Sequence, residues 1–121
     1  MMKNILLILI LSGFACPLRS QTSFIKTYGD SLTDQGGYSI KQCYDGGYIV
    51  SGKNEGTHPT NFYVLKLNAF GDAIWTRTIG GDWMIGFDVI ETVDSNYVIS
   101  GYYTTSGALK CIKLDYNGNI V

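Results

Sequence analysis

Apolar and polar residues alternate along most of this chain in runs too short for helices. The runs are "YSIKQC" (38–43), "YIVSG" (48–52), "FYVLKLN" (62–68), "AIWTRTI" (73–79), "FDVIET" (87–92), "YVISGYY" (97–103) and "ALKCIKL" (108–114). Each is rich in Ile, Val, Tyr and Thr and is bounded by Gly, Asn or Asp, the pattern of short strands joined by turns. A long unbroken apolar run occurs only near the start, from Ile5 to Leu11. No segment after it keeps a helical period, so the chain beyond the leader reads as all β.

The runs also repeat. Aligning Tyr48 with Tyr97 superposes "YIVSG" on "YVISG" and pairs Asp45 with Asp94, Ile40 with Val89 and Tyr38 with Phe87, all 49 residues apart. "VLKLNAFGDAI" (64–74) matches "CIKLDYNGNIV" (111–121) at an offset of 47, and "FIKTYGD" (24–30) matches "WTRTIGG" (75–81) at 51. Offsets drift only between strands, where loop length is free to change. A unit of about 50 residues falls among the propeller and solenoid periods.

"DGGYIVSG" (45–52) and "DSNYVISG" (94–101) occupy one place in the two units. Phosphate cradling needs glycines for backbone approach and a helix opening behind them. Here the glycines change between copies and a strand follows. The stretch therefore reads as a hairpin turn, with Gly supplying positive φ in the first copy and Asn96 able to supply it in the second.

Four antiparallel strands per unit suggest four-stranded blades of an incomplete β-propeller, each sheet burying its faces against its neighbours. The expected division is a signal peptide with an N-terminal signal helix (1–20), an orphan blade strand and loop (21–37), a first blade (38–79) and a second, truncated blade (80–121). "FIKTY" takes the place of a fourth strand in this scheme, which is the basis for expecting a piece of a larger ring with open edges.

The leader "MMKNILLILILSGFACPLRS" has a lysine, a short apolar core and then small or turn-forming residues, a signal-peptide layout. Its core is shorter than the roughly 20 residues needed to span a bilayer. Cleavage after Ser20 leaves Gln21 first; Cys16 after Ala15 raises the alternative of an outer-membrane lipoprotein, although Gly13 and Phe14 depart from the usual lipidation pattern. Loss of Lys3 and Arg19 takes Lys plus Arg from 9 to 7 against 10 acidic residues, a net charge of about −3. With no basic stripe, nucleic acid is not an expected partner. Cys43 and Cys111 sit at unlike positions in the two units, which favours two buried free thiols over a bridge.

"IKTYGD", "GGYSIKQCYDGGYIVSG" and "FYVLKLNAFGDAIW" resemble the tandem repeats of secreted proteins common in Bacteroidetes-type bacteria, over essentially all of residues 24–121. Asn68, where Asp is usual, and "DSN" in place of Asp-Gly-Gly depart from that pattern. The resemblance implies a β-propeller of several such blades, exported and often ending in a type IX secretion sorting domain, with no established catalytic residues to carry over.

Individual residues add little chemistry. Asp115, Asn117 and Asn119 alternate oxygen donors as calcium loops do, but the glycine falls at the fourth place, no late Glu follows, and Phe70 replaces Asn117 in the other unit. An Asn-Gly hairpin accounts for the stretch. His58, the single histidine, lies in a polar loop without ligand-spaced partners. Asp82, Asp88, Glu91 and Asp94 offer carboxylates of the kind glycosidases pair, with no spacing that makes a pair of them. Lys66 and Lys113 recur at one strand position, which points to packing or a salt bridge in each unit.

No catalytic, cofactor or metal residue is therefore expected. The leading reading is a non-catalytic part of an exported β-propeller repeat protein, partnered by further blades and by an extracellular glycan or protein, at the cell surface or secreted. The rival is an accessory propeller region of a secreted glycoside hydrolase. A membrane enters only through lipidation of Cys16.

Overall fold

The computed structural model describes residues 23–56, 59–81 and 83–121, and within them the alternating runs become seven strands. They are β1 (Asp34–Gln42), β2 (Tyr48–Glu55), β3 (Thr60–Leu67), β4 (Ala73–Ile79), β5 (Met84–Glu91), β6 (Tyr97–Tyr103) and β7 (Leu109–Leu114). Sequential antiparallel pairing gives a four-stranded sheet, β1-β2-β3-β4, and a three-stranded sheet, β5-β6-β7. The described residues contain no helix. The expected signal helix, the cleavage site and Cys16 lie outside the described residues.

The two sheets share one register. Gly37 pairs with Gly52 and Ile40 with Val50 in the first, as Gly86 pairs with Gly101 and Val89 with Ile99 in the second. Tyr48 faces Leu67 as Tyr97 faces Leu114. Each first strand has an irregularity at the same step, between Gly37 and Ser39 and between Gly86 and Asp88, which leaves Tyr38 and Phe87 as the extra residues. A bulge at one repeated position is a designed feature of a sheet. The repeat read in the sequence is thus a repeat of structure.

Strand β1 begins earlier than the alternation indicates, at Asp34 and not at Tyr38. Gly36 and Gly37 have no side chain to show a pattern, yet both pair with β2. The residue that must be small is their partner Gly52, where an added Cβ would lie 1.8 Å from the Gly36 carbonyl oxygen. The expected strand at 24–28 does not form; no neighbouring strand lies alongside it among the described residues. The expected final run shows a single bridge, Leu114 with Ile120.

One turn is used four times. The Gly46 N–H donates to the Cys43 carbonyl and the Cys43 N–H to the Gly47 carbonyl, both at 2.9 Å; the same two bonds recur at 68–72, 92–96 and 115–119. Gly46, Gly71, Ser95 and Gly118 take the left-handed position, with φ of 81°, 77°, 58° and 81°. This is the three-residue hairpin loop with its bulge residue in positive φ. In the second unit that position falls on Ser95 and not on Asn96, whose amide instead donates to Asp94 at 2.8 Å. Left-handed serine is strained, so Ser95→Gly is expected to raise the unfolding free energy by about 0.5 kcal/mol, net of glycine's entropy cost. Urea melts of the two proteins measure this; an unchanged or lowered midpoint contradicts it.

The core lies between the sheets. Ile49, Phe62 and Val64 from the first meet Val89, Tyr97, Ile99, Ile112 and Leu114 from the second, all at most 7% exposed. Phe62 enters the space above Gly86 and Gly101, where an added Cβ would stand 2.6 and 2.3 Å from its ring. At the outer edge Trp75 lies on Gly118 and edge-on to Tyr97, while its indole N–H donates to the Tyr116 carbonyl at 3.1 Å. Arg77 donates to the carbonyls of Gly118 and Asn117.

The N-terminal stretch copies that contact on the first sheet. Phe24 lies on Gly71 and edge-on to Tyr48, and Lys26 pairs with Asp72. The Phe24 contact is the one that the alignment of 24–30 with 75–81 calls for, whereas Lys26, aligned with Arg77, meets a carboxylate and not the turn carbonyls.

Candidate functional site

Two places gather chemistry-bearing side chains. One is a buried ionic tie where the sheets meet. Lys66, on β3, is 1% exposed, and its ammonium donates to both Asp45 oxygens at 2.8 and 3.0 Å and to the Leu67 carbonyl at 3.3 Å. Asp45 stands in the β1–β2 turn, where it also accepts from the Gly47 N–H at 2.8 Å and from the Tyr116 hydroxyl of the second sheet at 3.4 Å. Partial burial pushes its carboxyl up, but the Lys66 and Gly47 hydrogen bonds, the Lys66 charge and the Tyr116 hydroxyl outweigh that and hold it below the usual range. The second unit builds the same pair at the surface, with Lys113 3.1 Å from Asp94. Of the packing or salt bridge expected from the repeated lysines, a salt bridge is present in each unit.

Around the tie lie Cys43 and Tyr97. Burial pushes the Cys43 thiol up despite the pull of Lys66, with Glu91 and Asp45 pushing the same way. A thiol held protonated is a poor nucleophile. Burial, with Cys43, Glu91 and Asp45 nearby, likewise raises the Tyr97 phenol, whose oxygen has no hydrogen-bond partner among the described residues. Glu91 accepts from the Tyr44 N–H at 2.6 Å and Asp88 from the Ser39 hydroxyl, each across the two sheets. These carboxylates are committed to joining sheets.

The second place is an aromatic strip. The bulge residues Tyr38 and Phe87 stand side by side with ring centres 5.8 Å apart, and Phe87 stacks on Tyr102 at 5.2 Å with planes 6° apart. Tyr38 is 50% and Phe87 47% exposed. Flat aromatic faces with a hydroxyl at the rim suit a partner that is apolar on one side and wet on the other. Polar neighbours flank the strip: Ser39, Asp88, and Lys41 3.6 Å from Asp88.

The other residues singled out in the sequence serve turns and edges. Asp115 accepts from the Asn117 and Asn119 backbone N–H groups at 2.9 and 2.8 Å and from the Asn119 side-chain amide, so its oxygens face donors. Asn68 closes the matching turn of the first unit in the same way. His58 and Asp82 lie outside the described residues. Among the described residues no three His, Cys, Asp or Glu side chains converge as metal ligands. Cys43 and Cys111 are both free, but Cys111 is exposed, contrary to the expectation of two buried thiols. It lies on the face of β7 that the first sheet does not cover. A cavity of about 350 Å³ lined by Asp34, Glu55, Thr60 and Trp83 was not foreseen. Lys53, 2.9 Å from Glu55 and 3.7 Å from Asp34, ties its two carboxylates.

No protein-family model, no curated protein and no solved structure matches this chain.

Proposed function

We propose that this chain is a non-catalytic part of an exported β-propeller repeat protein, and that it presents a recognition surface for an extracellular glycan or protein. The observation that carries the reading is the repeated bulge, which sets Tyr38 and Phe87 side by side and half exposed on neighbouring sheets. Repetition of sheet, register and turn supports the propeller; the signal-like leader supports export. Against a catalytic role stands the engagement of Asp45, Asp88, Glu91 and Asp94 in ties that hold turns and sheets.

Retention of the full chain on insoluble polysaccharides and on immobilised cell-surface protein tests the reading. The double variant Tyr38→Ala, Phe87→Ala is expected to weaken retention about tenfold or more, as loss of paired aromatic anchors does. Retention unchanged in a variant that still folds would refute the role of the strip. Mass spectrometry of protein recovered outside the cell tests export separately, the expected species beginning at Gln21 without lipid. A lipid-modified Cys16 would place the protein on a membrane instead.

A further inference from the structure

The turn, the paired glycines and the lysine–aspartate tie recur in both units, as features of architecture do. One group of side chains does not recur. In the register set by Gly37 with Gly52 and by Gly86 with Gly101, the places of Asp34, Lys53 and Glu55 fall to Trp83, Tyr102 and Thr104 in the second sheet. The two ends of that register are joined in both units: Asp34 pairs with Glu55, and the Thr104 N–H donates to the Trp83 carbonyl at 2.7 Å. The repeated sheet therefore forms without the acids and without the indole.

The unlike residues meet at one cavity. Glu55 pairs with Asp34 and with Thr60, two places beyond the pairing of Lys53 with Phe62, so all of them lie on the face of the first sheet that turns toward the second. Trp83 stands immediately before β5. With Gly56, the residues Asp34, Glu55, Thr60 and Trp83 line about 350 Å³, within the range of roughly 300–1,000 Å³ of small-ligand pockets. Both units contribute walls, so whatever covers the outer faces of the sheets does not fill it. Trp83 has a φ of 58°, a left-handed conformation that a bulky side chain takes at a cost, and such outliers gather at ligand clamps. Its side chain is 39% exposed.

The walls combine a flat aromatic face with acceptors and a donor. Lys53, 19% exposed, is the resident cation, 2.9 Å from Glu55 and 3.7 Å from Asp34. The Thr60 hydroxyl donates to Glu55 at 3.5 Å. An incoming ammonium has to displace Lys53, and an incoming carboxylate has to face Asp34 and Glu55. An uncharged sugar ring meets neither obstacle. Its hydroxyls donate to the carboxylates and accept from the ammonium, and its C–H face covers the indole.

The cavity adjoins the aromatic strip through Lys53. A Cβ at Gly36 would stand 3.6 Å from the Lys53 stem and 4.0 Å from the Tyr38 hydroxyl, so both side chains come together over that glycine. The geometry points to a sugar-binding site: the cavity between Asp34, Glu55 and Trp83 takes one uncharged ring of a glycan whose next units run over Tyr38 and Phe87. The site narrows the ligand of the recognition reading to a neutral glycan and rests on that reading for the strip alone.

Calorimetric titration of the full chain tests the site, with soluble gluco-, manno- and xylo-oligosaccharides as neutral probes, and oligogalacturonate and chitosan oligomers as charged ones. At least one neutral oligomer is expected to bind, and both charged oligomers to bind about tenfold more weakly or worse. Trp83→Gly removes the indole and takes the same φ without strain; Glu55→Gln removes one charged acceptor. Each is expected to keep the fold by circular dichroism and to weaken binding about tenfold or more. Tyr38→Ala with Phe87→Ala is expected to weaken binding of the oligomer and to leave that of its single sugar unit unchanged. Binding lost with Trp83→Gly but kept in the double variant retains the cavity and removes the strip; the reverse retains the strip and overturns the cavity. Binding of no neutral oligomer overturns the site even where an immobilised protein is retained, and tighter binding of either charged oligomer overturns the ligand class.

Discussion

Asparagine in place of Asp45 is expected to lower the unfolding free energy by about 3 kcal/mol at neutral pH. The loss comes from what remains: an ammonium on Lys66, 1% exposed, with the Leu67 carbonyl at 3.3 Å and no counter-charge. Lys66→Met is expected to cost much less, because the carboxylate it leaves is 31% exposed and water can solvate it. Asp94→Asn breaks the equivalent pair of the second unit, but Lys113 and Asp94 are 42% and 51% exposed, so water screens the pair and its loss is expected to shift the urea midpoint far less than Asp45→Asn does. Acid carries a further signature. The folded Asp45 carboxyl lies below its unfolded value of about 3.9. Its stabilisation is therefore complete above that pH and disappears as pH falls through the folded value. The gap between the urea midpoints of wild type and Asp45→Asn should be wide at pH 7 and close progressively below about pH 4. A gap that does not change with pH would separate the loss from the charge.

The paired lysines illustrate how far the sequence can be read. Lys66 and Lys113 recur before Leu at one strand position, which calls for packing or a salt bridge in each unit, and the structure supplies the salt bridge. Their difference in burial does not, because it depends on Lys66 facing the second sheet while Lys113 faces away from the first. The same asymmetry exposes Cys111, although its counterpart Val64 is fully buried. Strand positions were legible wherever side chains alternate, and illegible at Gly36 and Gly37, which contribute only backbone to the ladder. The left-handed turn position was misplaced onto Asn96 because residue preference favours Asn over Ser, whereas the hydrogen-bonded length of the loop sets the position at Ser95. Tyr38 and Phe87 align in the sequence, but that both are bulge residues emerges only from the pairing of the glycines beside them. For the aromatic strip the sequence held the residues and concealed the geometry.

Phe62→Ala is expected to cost about 3–5 kcal/mol, the range for emptying a fully buried aromatic site. The ring passes from the first sheet into space that two glycines leave on the second, so its removal weakens the joint between sheets more than either sheet. The glycines make the claim testable from the other side. At Gly86 an added Cβ meets the Phe62 ring at 2.6 and 3.0 Å, and the next nearest atom is the Gly52 carbonyl oxygen at 3.3 Å. At Gly101 it meets the ring at 2.3 Å and also the Ile85 carbonyl oxygen at 2.0 Å, backbone of its own sheet. Gly86→Ala should therefore cost about 1–3 kcal/mol alone and much less when Phe62 is already Ala, a coupling of about 1 kcal/mol or more. Gly101→Ala should remain costly in both backgrounds, since removing the ring does not move the Ile85 carbonyl. Equal behaviour of the two glycines in that cycle would mean that the ring does not lock the sheets together. A coupling confined to Gly86 would locate the joint at this side chain, the one whose counterpart in the second sheet is the exposed Leu109.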